Sequence, residues 1–392
     1  MRTHKRKIRD LKRRPNRITP LTEHDILDPE QDKDRFTDEQ YMLCTQKLFG
    51  FVLKERIWDL LDVSSVKKPK FQDDMIDDLV LKEEAKTLVQ ALSNSHGVPP
   101  GTDPYMPSAG LGVTGAPTRW SADFVQNKGE GRIFLLHGKP GVGKTTTAEC
   151  VAEQSRSPLL SITCGDLGIY PDEVEKNLMK WLKLATLWKA VLLLDEADVY
   201  LESRISGDLQ RNSLVSIFLR ALEYYQGLLF LTTNRIGTFD EALISRIHVV
   251  LHYPDFTDPQ RQTIWLTSFR KLQDERPDIQ VGAGVMDYAL EHEDLKKLKW
   301  NGREIRNAFN TIVALAEFDA EKKRRAKPGE EKKVVVRLER THLKQVVEMS
   351  AKFKEYMRRT KGMDESRFQH IARIRDGDIV EDHRDPRRGH RG

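Results

Sequence analysis

From Arg132 onward, short runs that are apolar from end to end alternate with stretches whose apolar residues return at helical spacing. The runs are RIFLLHG, PLLSITCG, KAVLLLDEA, GLLFLTTN and HVVLHYP. Helical patterns lie between them at Thr145 to Gln154, Pro171 to Leu187, Ser213 to Tyr225 and Phe239 to Ser245. Strands without a polar face are covered on both sides, and strands alternating with helices build a parallel sheet. The spacing predicts a three-layer α/β domain over 132–256. After Pro254 no further strand is expected. Helical patterns at Asp258 to Arg276, Gly284 to His292, Gly302 to Arg324 and Thr341 to Arg359 predict a small all-α domain over 257–355, broken by the charged stretch KKRRAKPGEEKK. A charged tail, 356–392, follows.

Upstream, Lys47 to Val66 alternates apolar and charged residues around a charged turn, which predicts a hairpin within an N-terminal segment, 21–70. Phe71 to Leu92 carries apolar residues at helical spacing after an extended lead-in, predicting a helix within 71–95. Between 96 and 131, Pro and Gly crowd together and no hydrophobic period survives, so a loop is expected.

Composition narrows the class. With 392 residues, 39% hydrophobic and 32% charged, the chain has material for two packed domains and is not a disordered polymer. Its longest apolar runs, four to six residues, are too short to cross a bilayer, so no transmembrane segment is expected. The charged N-terminus has no apolar core and does not read as a secretory signal. Cys44, Cys150 and Cys164 are odd in number, widely spaced and without a C-x-x-C pattern. An intracellular location, cytoplasmic or nuclear, is the expectation. Residues 1–20 hold nine Lys/Arg and one Asp, a local +8 within a net +5, which leaves about −3 for the remainder. This basic arm suits nucleic acid, anionic lipid or nuclear import, or else a solvated disordered tail.

The candidate chemistry begins at Gly138-Lys-Pro-Gly-Val-Gly-Lys-Thr145, a match to G-x-x-x-x-G-K-[ST] that directly follows a strand and opens a helix. Glycines at 138, 141 and 143 let backbone N–H groups turn inward, and the helix N-terminus adds partial positive charge. Gly138, Lys139, Pro140, Gly141, Val142, Gly143, Lys144, Thr145 and Thr146 thus form the expected phosphate cradle for ATP. Lys144 is placed on the β- and γ-phosphates, and the Thr145 hydroxyl on Mg²⁺. Fifty-one residues beyond Lys144, the strand Val191 to Leu194 ends in Asp195-Glu196, two carboxylates at the end of the sheet where ligands bind. Asp195 is the expected second metal ligand, and Glu196 the general base for the attacking water. Asp198 reads as structural or as a helix cap. Leu228 to Leu231 ends in Thr232-Thr233-Asn234-Arg235, which puts the Asn234 amide where it can orient water or touch the γ-phosphate. Arg246, twelve residues later, reads either as a surface ion pair or as a side chain reaching a neighbouring subunit's γ-phosphate.

In this order the pieces resemble the AAA clade of the AAA+ ATPases, and the wording of FLRALEYYQGLLFLTTNRIGTFDEALISRIH is similar to an uncharacterised fungal group within it. The resemblance covers about Lys47 to Lys354. It implies that GKPGVGKT is the Walker A motif, LLLDEAD the Walker B motif, LTTNR sensor 1 and ALISRIH the arginine-finger segment. Trp300-Asn-Gly-Arg303-Glu-Ile-Arg306 looks like sensor 2, with Arg303 the better match and Arg306 the fallback. MIDDLVLKEEAKTLVQAL looks like the linker that borders the adenine. The implied protein is a P-loop NTPase with a helical lid, hydrolysing ATP with Mg²⁺ as a ring homo-oligomer, a hexamer, that remodels a protein or complex.

Three departures qualify this expectation. Only Arg246 stands where classical members carry two arginines. The aromatic-glycine pore loop is replaced by GDLGIYPDEVE, Gly165 to Glu175, where Ile169 or Tyr170 can substitute but Pro171 stiffens the backbone. The stretch from Gly97 to Trp120 also interrupts a connection that is usually brief. A scaffold gated by ATP with slow hydrolysis, and a DNA-associated loader, are the alternative readings.

Overall fold

The computed structural model describes residues 45–94, 131–202, 208–235, 239–326 and 335–361. The expectations for residues 1–20, for most of 96–131 and for 362–392 lie outside the described residues.

Strands β1 (Lys47–Val52) and β2 (Ile57–Asp62) form an antiparallel hairpin in which Val52 pairs with Ile57 and Phe51 with Trp58. Because side chains alternate along a strand, Leu48, Val52, Ile57 and Leu61 share one face, and Phe49, Phe51, Trp58 and Leu60 the other. Both faces are apolar and mostly exposed, with Phe49 at 71% and Trp58 at 58%.

A 3₁₀ turn, Asp73–Ile76, leads to α1 (Glu83–Asn94). The three-layer domain then runs as β3 (Arg132–Gly138), α2 (Lys144–Gln154), β4 (Leu159–Ile162), α3 (Cys164–Leu167), α4 (Pro171–Leu187), β5 (Val191–Leu194), α5 (Asp198–Leu201), α6 (Leu209–Glu223), β6 (Leu228–Thr233), α7 (Glu241–Ile244) and β7 (Val249–Tyr253). The five strands β3 to β7 are parallel, in the order β4-β5-β6-β3-β7. Their apolar runs are largely buried because helices cover both faces, but on the edge strand β7 Val250 and His252 are exposed. On one face Phe134 and Phe230, directly paired across β3 and β6, stack at 4.8 Å against Val151 and Ala148 of α2 and Val89 of α1. On the other lie Ile133, Leu135, Leu192, Leu194, Leu229 and Leu231, all at most 2% exposed. The strand carrying the glycine loop thus lies inside the sheet, between β6 and the edge strand β7, and β6 separates it from the strand carrying the acidic pair.

The second domain comprises α8 (Asp258–Glu275), β8 (Ile279–Val281), α9 (Val285–Glu291), α10 (Glu293–Leu298), α11 (Gly302–Ala326), β9 (Val336–Leu338) and α12 (Arg340–Lys361). It is a helical lid, with one correction: strands do not stop after Pro254. β8 and β9 pair in parallel, Ile279 opposite Val336, and Gly282 N–H extends the ladder to the Leu338 carbonyl at 2.8 Å. At three residues each, they carry too little pattern to be read from sequence. The last helix continues to Lys361, past the expected boundary at 355.

The lid core centres on Trp265 and Phe269 of α8, Trp300, and Phe309 of α11, with ring centroids 5.1 to 6.4 Å apart. Trp265 is fully buried. Trp265→Ala should destabilise the lid by about 3–5 kcal/mol, since a large side chain is lost and a cavity remains. Chemical denaturation followed by circular dichroism measures this; a loss below about 1 kcal/mol would show that these rings do not form one core.

Candidate phosphate-binding site

Gly143 caps α2 with φ +101°, and Gly141 has φ +77°. Both lie in the left-handed region that residues with a Cβ avoid, so the loop needs glycine to turn its amides inward. Nothing lies within 4 Å on the Cβ side of Gly143, which leaves the concavity open. Lys144 is only 7% exposed, and its ammonium donates to the Gly138 and Lys139 carbonyls at 2.8 Å each and to Asn234 Oδ1 at 2.9 Å. The cation is thus held by the loop it belongs to and by the tip of β6.

The acidic half faces it. Thr145 Oγ1 lies 3.5 Å from Asp195 Oδ2. Asp195 Oδ1 accepts from the Thr232 hydroxyl. Glu196 is exposed and has φ +56°, an uncommon conformation for a residue with a side chain. Its N–H donates to Thr232 Oγ1 at 3.1 Å, and its carbonyl accepts from Cys164 Sγ at 3.5 Å. The hard oxygens of Thr145 and Asp195 beside a buried ammonium fit Mg²⁺ carrying a polyphosphate.

His137, the residue before the loop, stacks on its register partner His252 at 4.8 Å. Burial, then His252 and Lys144, pull its pKa down to about 4, so it is neutral near pH 7 and adds no competing positive charge. Lys139 pairs with Asp255 at 2.5 Å.

The lid rests on the loop. Gly302 N–H donates to the Gly141 carbonyl at 2.9 Å, and a Cβ on Gly141 would lie 2.6 Å from Asn301 Oδ1 and 3.1 Å from Arg303 Cβ. Asn301 and Glu304 cap each other, each backbone N–H donating to the other's side chain at 2.8 Å, and Lys354 of α12 pairs with Glu304 at 2.9 Å. A cleft of about 1030 Å³ opens beside this contact, lined by Lys139, Pro140, Val142, Trp300 and Phe353 among others. Lys144, Asp195 and Glu196 lie outside its lining.

Lys144, Thr145, Asp195 and Asn234 are therefore brought together by direct contacts, and Glu196 adjoins them. Arg303 lies at the lid contact with its side chain exposed, as is that of Arg306. Arg246 is held apart from this group: it pairs with Glu223 at 3.7 Å and donates to the Ala242 carbonyl at 3.0 Å. Asp198, buried at the start of α5, faces Arg235 at 3.8 Å. The predicted loop from Gly165 to Glu175 turns at Gly168, φ +97°, and presents Ile169 and Tyr170 at 81% and 63% exposure before Pro171 opens α4. Two participants escaped sequence reasoning, Thr232 and Asn301. The sequence carries no signal for the first, whose place follows from the register: Leu194 pairs with Leu231, and the next residues on the two strands are Asp195 and Thr232.

Comparison with known proteins matches both domains. Residues 134–255 match the family model for ATPases associated with various cellular activities (AAA), and residues 256–364 match the fungal AAA+ ATPase lid domain. The chain is 32% identical over 136 residues to human ATPase family AAA domain-containing protein 3B, a match covering 33% of this chain and 21% of the relative. It is 30% identical over 190 residues to the Xenopus laevis protein 3-A of that name, covering 46% and 32%. It is also 34% identical over 152 residues to the Arabidopsis thaliana cell division control protein 48 homolog B, covering 35% and 25%. These matches span about a fifth to a third of each relative's length. A glycine loop closing on a buried lysine, an acidic pair facing it from the same parallel sheet, and a lid seated on the loop, matched in succession by both family models, place the chain among the AAA ATPases.

Proposed function

We propose that this protein binds and hydrolyses ATP with Mg²⁺, as a ring homo-oligomer that remodels a protein or complex. The observation that carries the reading is the convergence of Lys144, Thr145, Asn234 and Asp195. In this reading the amides of residues 138–146 and the Lys144 ammonium hold the phosphates, while Thr145 and Asp195 hold the metal, which when bound neutralises phosphate charge. Glu196 accepts a proton from the attacking water, and Asn234 turns from Lys144 toward that water or the γ-phosphate. Arg303 reaches the phosphates from the lid, and Arg246 reaches those of a neighbouring subunit after leaving Glu223. The exposed Ile169 and Tyr170 are the surface offered to a polypeptide. The alternative, a scaffold gated by ATP, draws support from the Arg246 to Glu223 pair, which retains the arginine within its own chain.

Phosphate release measured across a range of protein concentrations tests both. Turnover per subunit should rise steeply with concentration, because each site is completed by a neighbour, and chelating Mg²⁺ should abolish it. A rate per subunit independent of concentration would refute shared sites. Release no faster than the blank would refute hydrolysis and leave the scaffold.

A further inference from the structure

The acidic turn leaves the sheet abruptly. β5 and β6 run paired to Leu194 and Leu231; the Asp195 N–H still donates to the Ile162 carbonyl of β4 at 3.1 Å, but the next three residues of the β5 chain no longer pair in register with β6. A single residue of β6 holds all three. The Thr232 hydroxyl donates to Asp195 Oδ1 and accepts the Glu196 N–H at 3.1 Å, and the Thr232 carbonyl accepts the Ala197 N–H at 2.9 Å. Thr232 is 1% exposed, so water does not compete for its hydroxyl. Glu196, in the middle of this turn, has the left-handed backbone that persists only where surrounding contacts impose it.

We infer that Thr232 is a positioning residue, whose hydroxyl sets the Asp195 carboxylate toward the metal and the Glu196 backbone toward the attacking water. The inference rests on the proposed roles of those two acids. One hydroxyl does both jobs because its proton and its lone pair are used at once: the proton goes to Asp195 Oδ1, which leaves Oδ2 on the Thr145 side, and the lone pair fixes the Glu196 amide. Valine in place of Thr232 keeps the volume and the strand propensity but supplies neither interaction. Serine keeps both. The backbone bond to Ala197 survives either change, which isolates the hydroxyl.

Thr232→Val, Thr232→Ser and the parent are to be compared in phosphate release with varied ATP and varied Mg²⁺, and in binding of a fluorescent ATP analogue with Mg²⁺ or with EDTA. Thr232→Ala repeats the test should the valine variant not fold. The valine variant should lose about 10- to 100-fold in kcat, as groups that orient metal ligands do. It should also need more Mg²⁺ for half-maximal rate and keep parental affinity in EDTA, while serine restores rate and Mg²⁺ requirement. Parental kcat and Mg²⁺ requirement in the valine variant would overturn the inference; so would equal impairment by valine and serine. Should the parent release no phosphate, the hydrolytic reading fails by itself, and the Mg²⁺-dependent gain in analogue binding decides. A gain present in the parent and lost in Thr232→Val upholds the positioning role toward Asp195; a gain equal in both, or absent from the parent, overturns it.

Discussion

Glu196→Gln is expected to lower ATP turnover by about 10²- to 10⁴-fold, the usual contribution of a positioned general base, while ATP affinity stays within a few-fold of the parent. Glutamine has the shape of glutamate, and the contacts that fix this position are made by its backbone, through Thr232 Oγ1 and Cys164 Sγ. The left-handed turn is therefore kept and only proton affinity is lost. Binding depends on other groups, the loop amides and Lys144, none of which touches the Glu196 side chain in the described contacts. Phosphate release and equilibrium binding of a fluorescent analogue separate the two effects. Equal hydrolysis by variant and parent would remove Glu196 from the role of base.

Lys144→Ala should act on the opposite quantity. Its buried ammonium faces three acceptors, the Gly138 and Lys139 carbonyls and Asn234 Oδ1. In the proposed complex, phosphate oxygens take over part of this role, and hydrogen bonds to charged groups are worth about 1.5–3 kcal/mol each. Loss of two such bonds corresponds to a dissociation constant raised about 100-fold or more. The damage extends beyond the lost charge, because the acceptors that closed the loop around Nζ are left facing one another. Titration calorimetry with ATP measures the change. Binding within threefold of the parent would mean that the loop amides alone carry the phosphates, and that Lys144 serves only to fold the loop.

The main sheet was legible because a strand covered on both faces is apolar almost throughout, as β3 to β6 are, while the edge strand β7 still carries the run Val-Val-Leu although Val250 and His252 are exposed. The glycine loop and the acidic pair were legible because their residue types suit little else at those places. What stayed hidden depends on pairing across the chain. β8 and β9 are three residues each and separated by 54 positions, so neither shows a period. Thr232 sits in the run LLFLTT, where threonine reads as an ordinary strand former, and its role emerges only from the register with β5. Arg246 left two readings open, and its bond to Glu223 joins the end of one helix to the turn after another. Asn301 caps α11 in the structure, and its second duty, filling the space above Gly141, is visible only when the lid is in place.

That last contact has a mechanical consequence. The lid meets the cradle through a main-chain hydrogen bond from Gly302 to the Gly141 carbonyl, with the Asn301 side chain in the space a side chain on Gly141 would take. Because that bond joins main chain to main chain, a shift of the loop at Gly141 bears directly on Gly302, the first residue of α11, with the Asn301 side chain seated beside it. From Glu304, in the first turn of α11, the Lys354 ion pair ties the same point to α12, a helix of 22 residues, so the loop is joined at one junction to two helices of the lid.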